Sequence, residues 1–441
     1  MKGKFLLLSN FFIIAMMLFL ASCMESGGKI KTIDGPFTVI WDRGAGPSFE
    51  THFANHLSAK YPEAAFEQTF IIREFRYLGG GRDAMHPLDV YDIAEKDLPG
   101  DIIMFESTLA PYLFKSGYLE PLDPYLDTIL GIMGRIDSRA LDFVKALGGG
   151  RTYGIPFGKD VYALYYNTTL FDELGLPYPT DGMTWDDVFG LAREIMNHPQ
   201  MGTRAGLALS DMTLPFSQFH LRFFDEFGMP DDDSPLWARA LEFKKTFNEL
   251  YEQKGMSFYI YEHPFGFSDG QAAMYAGHYL GDINPSGFRD RPFTSPYKGD
   301  WDLVSFPVFE DAPDTGPLAD YYLLGIPRNS QKKPEAFQLI AHLLSDEVQL
   351  ANSRLGVASI LSDPFWIESF GADLSHFHGK RVRSFFHHPE EGSLDLDFDW
   401  QMQRAGYRLL EEERGWMMDY LNYRREKLEK VGVVEGAHLE R

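Results

Sequence analysis

Cysteine and positive charge are what this sequence has least of. A single cysteine among 441 residues rules out a disulfide within the chain and excludes a small disulfide-stabilised fold. The 41 Lys and Arg residues face 64 Asp and Glu residues, which gives a formal net charge of −23. Because nucleic-acid binding requires an accumulated basic surface, this balance argues against a nucleic-acid partner.

Long apolar runs are also scarce, and the clearest one lies at the start of the chain. Lys2 and Lys4 precede an uncharged run over residues 5–20, which is short for a membrane-spanning helix and typical of a signal peptide. The run ends in Leu-Ala-Ser before Cys23, a sequence that resembles the lipobox of bacterial lipoproteins. We therefore expect residues 1–22 to be a signal peptide, Cys23 to carry lipid, and residues 23–34 to form a tether. An ordinary secretory signal with an incidental cysteine is the alternative.

Sequence motifs for catalysis, phosphate binding and metal binding are missing as well. Gly79–Gly81 is followed by Arg82 and not by a Lys-Ser/Thr pair, so it is not a phosphate-binding loop. A group of histidines could bind a divalent ion, but its spacing fits neither a zinc finger nor an HExxH helix. Its members are His376, His378, His387 and His388. We expect no catalytic residues, no metal and no cofactor.

Aromatic residues and a regular alternation of strands and helices are what the sequence has in abundance. The 37 Phe, 22 Tyr and 7 Trp residues offer more flat apolar surface than core packing requires, so part of it is expected to face a ligand. Alternating strands and helices favour a parallel sheet covered by helices, with ligands beyond the carboxyl ends of the strands. The predicted strands cover residues 37–41, 66–72, 101–105, 161–166, 301–308 and 321–326.

Helices are predicted between these strands. Thr184, followed by Asp187, fits a capping box that opens a helix ending near Met196. The stretch from Gly270 is interpreted as the end of a helix that runs into a strand. Further helices are predicted over residues 215–227, 235–253, 334–344 and 401–429.

In order along the chain, these segments resemble the extracellular solute-binding proteins of family 1, the carbohydrate receptors of bacterial ABC importers, a group that includes maltose-binding protein. The similar segments read FTVIWD, DIIMFESTLAPYLFKSGYLEPLDPYL, RTYGIPFGKDVYALYYNTTLFDELGLPYPTDGMTWDDVFGLAREI, GQAAMYAG and LLGIPRNSQKKPEAFQLIAHLLSDEVQ. Most of the chain after Cys23 is covered, whereas the portion from Leu355 is poorly matched.

The resemblance implies an α/β protein with the two-lobed type II periplasmic-binding-protein fold and a ligand cleft between the lobes. About three crossings between the lobes are expected, near residues 154–159, 308–317 and 356–362. Lobe one would then contain residues 35–155 plus 318–356. Lobe two would contain residues 156–317 plus 357–441.

A sugar ring has apolar C–H faces and a polar rim, so its site should offer aromatic planes beside charged or amide groups. The resemblance implies eleven ligand-binding candidates: Trp41, Asp42, Arg43, Glu106, Ser107, Asp160, Tyr166, Tyr279, Asp282, Tyr321 and Trp400. Trp41 has core packing as its alternative, and one of Tyr165 and Tyr166 must face a core. Tyr321 and Tyr322 stand where many members have paired glycines. His278 is expected to lie on the surface or to be hydrogen-bonded, not to contact the ligand.

The function that follows is a non-enzymatic, monomeric receptor, anchored outside the cytoplasm to the cell membrane through lipid alone. It would close on a carbohydrate, expected to be an oligosaccharide, and deliver it to the transmembrane subunits of an ABC permease. Two alternatives stay open: an extracellular carbohydrate-active enzyme, and a receptor for another polar solute such as a peptide.

Overall fold

The computed structural model describes residues 33–42, 46–71, 75–77, 85–87, 97–202, 204–210, 213–220, 235–252, 267, 270–278 and 300–388. Their strands form a five-stranded sheet, a four-stranded sheet and a two-stranded ribbon. The strands are β1 (Gly35–Asp42), β2 (Ala64–Ile71), β3 (Phe75–Tyr77), β4 (Met85–Pro87), β5 (Ile102–Glu106), β6 (Ile155–Lys159), β7 (Tyr162–Asn167), β8 (Ala205–Leu209), β9 (Ala272–His278), β10 (Trp301–Ser305) and β11 (Tyr321–Gly325).

Helices cover both sheets. They are α1 (Asn55–Lys60), α2 (Ala110–Lys115), α3 (Asp123–Leu126), α4 (Leu130–Met133), α5 (Ser138–Leu147), α6 (Thr168–Leu174), α7 (Trp185–Asn197), α8 (Thr213–Gln218), α9 (Pro235–Glu252), α10 (Lys333–Leu343), α11 (Asp346–Arg354) and α12 (Pro364–Ser369). A π-helical turn at Glu50–Ala54 precedes α1, and 3-10 turns lie at Ser107–Leu109, Asp127–Ile129, Pro199–Met201, Ser375–Phe377 and Val382–Phe386. None of the helices in the described ranges is long and apolar enough to cross a bilayer.

The first sheet has the order β2-β1-β5-β11-β6. β1 runs parallel to β2 and to β5, while β11 is antiparallel to both of its neighbours. The first four residues of β5, Ile102–Phe105, are all buried, as expected for a central strand that is covered on both faces. The sheet and the helices around it enclose one hydrophobic core.

The second sheet has the order β10-β7-β9-β8 and encloses a separate core. β7 is antiparallel to both β10 and β9, whereas β8 and β9 are parallel. Two sheets with two cores make two lobes, so the predicted two-lobed α/β fold is confirmed.

The chain passes from the first sheet to the second through Asp160 and Val161, because β6 belongs to the first sheet and β7 to the second. The predicted lobe boundary at 155/156 therefore falls four residues early: hydrogen bonding to β11 holds residues 155–159 in lobe one. The return passage runs through Leu318–Asp320, just before β11.

The segment after α11 is shared between the lobes, whereas the prediction placed all residues from 357 in lobe two. Val357, Ile360, Leu361 and Trp366 pack in the first core. Phe370, Phe377 and Phe385 pack in the second. Ala358 also packs in the second core, so the segment from Val357 to Trp366 contacts both lobes and overlaps the predicted crossing at 356–362.

Local sequence signals account for several element bounds. The side chain of Thr184 accepts a hydrogen bond from the Asp187 N–H (3.1 Å) and Asp187 accepts one from the Thr184 N–H (2.9 Å), so the predicted capping box is confirmed. Asn167 caps α6 in the same way, through Leu170 N–H. The stretch after Gly270 is a strand from Ala272 onward and contains no helix end.

Candidate functional site

The polar edges of the two sheets meet where the chain passes between the lobes. In the first sheet the carboxyl end of β5 lies beside the amino end of β11, where Glu106 pairs with Tyr322. In the second sheet the amino end of β7 lies beside the carboxyl end of β9, where Tyr162 pairs with His278. Only two residues separate β6 from β7, so these edges face each other across the passage.

Asp160 lies on the first passage and contacts both lobes. The Tyr322 hydroxyl from lobe one donates to its Oδ1. From lobe two, His278 Nδ1 lies 3.4 Å from its Oδ2. The side chains of His278 and Asp160 keep 31% and 24% of their surface exposed, so solvent or a ligand can reach this pair. The predicted placement of Asp160 between the lobes agrees with this geometry.

Asp320 lies on the return passage and was missed by the sequence analysis. Ser107 Oγ donates to its Oδ1 (3.2 Å), and the Tyr162 hydroxyl lies 3.5 Å from its Oδ2. The backbone joins the two passages, since the Asp160 N–H donates to the Asp320 carbonyl (2.9 Å). One acidic side chain thus stands on each passage, and each is contacted from both lobes.

Aromatic rings line the same edge of lobe two. The Tyr162 ring lies 5.1 Å from the His278 ring and 6.2 Å from the Phe306 ring, between centroids. Beneath Tyr322, Gly158 leaves no room for a side chain, because a Cβ there would lie 2.5 Å from Val357 Cγ1. Tyr162 and Phe306 are only 4% and 3% exposed and pack in the core of lobe two, so the partly exposed groups at this edge are the Asp160 carboxylate and the His278 imidazole.

Trp41 is a core residue, not a stacking surface of the cleft. Its side chain is fully buried, and its ring lies edge-on to Phe49 (5.4 Å) and Phe53 (5.3 Å). The indole Nε1–H donates to the Pro47 carbonyl (3.2 Å). The helical turn that follows β1 thus covers the ring, which corrects its predicted role.

Tyr166 also lies away from the passage, which corrects its predicted position at the cleft. It is four residues beyond Tyr162 along β7, about 13 Å at the rise of a strand. Its hydroxyl accepts a hydrogen bond from Arg381 (2.6 Å), and its ring packs on Phe171 (5.6 Å). Burial and the nearby Asp302 carboxylate raise the pKa of Tyr166 to about 12. These contacts are structural ones within lobe two.

The remaining described candidates, Asp42, Glu106, Ser107 and Tyr321, all belong to lobe one. Asp42 ends β1 and is fully buried, Glu106 ends β5 and is half-buried, and Ser107 is buried against Asp320. Tyr321 is buried with its ring against Phe143 of α5 (5.3 Å), so it belongs to the packing of lobe one.

Several predictions concern residues outside the described ranges. Arg43, Tyr279, Asp282, Trp400 and Cys23 stay predictions for that reason, as does the helix over 401–429. Within the described ranges no group of three or more His, Cys, Asp or Glu side chains is arranged to hold a metal ion.

Comparison with protein families decides what this two-lobed chain is. The model of the bacterial extracellular solute-binding proteins matches residues 90–350, more than half of the chain. The chain belongs to this family. No curated protein matches this solute-binding protein in sequence.

Solved structures similar to this solute-binding protein share its fold across both lobes. The ABC substrate-binding protein Lmo0181 from Listeria monocytogenes, in complex with cycloalternan, is 15% identical with a TM-score of 0.62, covering 90% of this chain and 99% of that chain. Maltose-bound MalE3 from T. maritima is 18% identical with a TM-score of 0.61, at coverages of 90% and 99%. A solute-binding protein from Thermotoga lettingae bound with α-D-tagatose is 18% identical with a TM-score of 0.59, at coverages of 90% and 100%.

Proposed function

We propose that this chain is the extracytoplasmic receptor of an ABC importer, that it binds a carbohydrate between its lobes, and that it delivers the carbohydrate to a membrane permease. The observation that carries the proposal is the convergence at the two passages. There the carboxylates of Asp160 and Asp320 meet tyrosine hydroxyls and an imidazole that come from opposite lobes.

The chemistry of this convergence favours a polyhydroxylated ligand. Carboxylates accept strong, charge-assisted hydrogen bonds from hydroxyl groups, and the side chains of Asp160 and His278 are exposed enough to meet them. The structures of similar fold named above hold cycloalternan, maltose and α-D-tagatose. The oligosaccharide is the form of ligand we propose, with maltose in the MalE3 structure as its example.

Closure of the lobes gives the receptor its mechanism. A ligand that contacts both lobes makes its full set of contacts only when the lobes approach. The difference in affinity between the two arrangements then shifts the population toward the closed one. The permease would recognise the closed form.

Anchoring through Cys23 completes the proposal, and a substitution tests it. Cys23→Ser should release the protein from the membrane fraction or leave the precursor unprocessed, because no other thiol can accept the lipid. Membrane fractionation and the mass of the processed chain measure this. Equal membrane retention and identical processing of the variant would contradict lipidation.

A thermal-shift screen over mono- and oligosaccharides tests ligand binding. A saccharide at 100 times its dissociation constant should stabilise the folded protein by about 2.7 kcal/mol. Each stabilising saccharide is then incubated with the protein and assayed for newly released reducing ends. Stabilisation without release supports a receptor, release would favour the enzyme alternative, and the absence of any stabilising saccharide would count against carbohydrate binding.

A further inference from the structure

The position of Asp320 suggests a role in setting how the lobes close. It stands between Leu318, whose N–H donates to Ser217 Oγ of lobe two (2.9 Å), and Tyr321, the first residue of β11 in lobe one. Its carbonyl accepts the hydrogen bond from Asp160 that joins the two passages. The backbone at Asp320 is therefore part of the hinge itself.

The side chain of Asp320 contacts Ser107 on the lobe-one side. Ser107 Oγ donates to Oδ1 (3.2 Å), and the same hydroxyl accepts a hydrogen bond from Tyr321 N–H (3.1 Å). Ser107 is 5% exposed, so this arrangement is shielded from water. Because the serine is fixed by the backbone next to Asp320, the carboxylate moves with lobe one.

The contact with lobe two is longer. The Tyr162 hydroxyl lies 3.5 Å from Oδ2, whereas hydrogen bonds between a hydroxyl and an oxygen are strongest at about 2.7 Å. Tyr162 opens β7, the first strand after the passage, so a small rotation of lobe two changes this distance directly. Tyr162 is 4% exposed and Ser107 is 5% exposed, so the two contacts of Asp320 differ in length, 3.5 Å to lobe two against 3.2 Å to lobe one, and not in burial.

We infer that Asp320 is a positioning residue whose carboxylate shortens its hydrogen bond to Tyr162 on closure and so stabilises the closed arrangement. The expected effect of Asp320 on ligand affinity rests on the proposed function, because it requires a carbohydrate that binds between the lobes. The closure that Asp320 favours can be measured without any ligand. Both Asp320→Asn and Tyr162→Phe remove this hydrogen bond or its charge while keeping the shape of the side chain.

The experiment is a double-substitution cycle on the mature protein, with maltose as the probe. Each single variant should raise the dissociation constant about tenfold, mainly through faster dissociation, and the double variant should be no weaker than the singles. Asp172→Asn and Tyr178→Phe provide the matched control. They remove another Tyr–Asp hydrogen bond (2.5 Å), which lies exposed in lobe two beyond the far end of β7, and should leave the affinity unchanged.

Small-angle scattering without ligand separates this inference from the proposed function. Free Asp320→Asn should have a larger mean radius of gyration than the free wild type, because it visits the closed arrangement less often. Failure of the wild type to bind maltose would count against the proposed ligand class, and the scattering comparison would then decide about Asp320 alone. Identical scattering of the free proteins would overturn the inference, as would additive effects in the cycle or equal losses in the control pair.

Discussion

Replacing Asp160 by asparagine probes the centre of the proposed cleft. Asn keeps the shape and one acceptor oxygen, but it loses the negative charge that faces Tyr322 and His278. Hydrogen bonds to a charged group contribute about 1.5 to 3 kcal/mol each. If the ligand hydroxyls use this carboxylate once the lobes close, loss of one such bond lowers the affinity roughly ten- to hundredfold. The loss should appear mainly in the dissociation rate, because closure rather than encounter is impaired.

The assay is calorimetric titration with a saccharide from the thermal-shift screen, followed by stopped-flow measurement of dissociation. Asp302→Asn is the matched control: its side chain is 20% exposed against 24% for Asp160, and it pairs with Arg381 at the far end of lobe two. Unchanged affinity in Asp160→Asn would refute the reasoning. So would an equal loss in Asp302→Asn, or a radius of gyration that stays the same at saturating saccharide.

Two further predictions concern stability. Burial lowers the pKa of His52 to about 4, below its ordinary 6.5. The contribution of the neutral imidazole to the free energy of unfolding is therefore complete above pH 6.5. Up to roughly 3 kcal/mol of it is lost as the pH falls toward 4. Urea unfolding at pH 7 and pH 4.5 measures this, and a pH dependence equal to that of His52→Gln would contradict it. Gly206→Ala should destabilise lobe two by a few kcal/mol, since the new Cβ would lie 2.4 Å from the Ala192 carbonyl oxygen. Gly190→Ala has open space on the exposed face of α7 and should stabilise by about 0.5 to 1 kcal/mol, so equal unfolding midpoints for the two variants would refute the packing argument.

Much of the local structure could be predicted because its causes lie within a few residues. The capping box at Thr184 joins residues three apart, and the apolar run of β5 is contiguous. Such signals are complete in the sequence itself. The two-lobed fold came from a resemblance in the order of segments, and not from any one of these signals.

The site residues could be predicted only in part, because strand direction decides which end of a strand reaches the cleft. The carboxyl-end rule applies to parallel strands and finds Glu106 and Ser107. β7 and β11 are antiparallel to their partners in the sheets, so their amino ends lie at the polar edge instead. That reversal places Tyr162 at the passage and removes Tyr166 from it, although the two share one face of β7.

Asp320 was missed for a related reason. Its partners lie far away in the chain: Ser107 and Asp320 are separated by 213 residues, and Tyr162 and Asp320 by 158. No periodicity or spacing in one sequence reports such pairs. Trp41 was placed in the cleft although the residues that cover it, Phe49 and Phe53, follow it closely in the sequence. Their packing on the Trp41 ring depends on the path of the turn after β1, which the sequence does not reveal.

The place of β11 in the first sheet has a consequence for how the protein is made. β11 lies between β5 and β6, yet it is synthesised only after all strands of the second sheet. Until it arrives, both β5 and β6 present an unpaired edge, and unpaired edges invite association with other chains. Lobe two, whose four strands follow one another in the sequence, can complete its sheet first. The second sheet can therefore form before the first, and the interval before β11 inserts is when the chain most needs protection from aggregation.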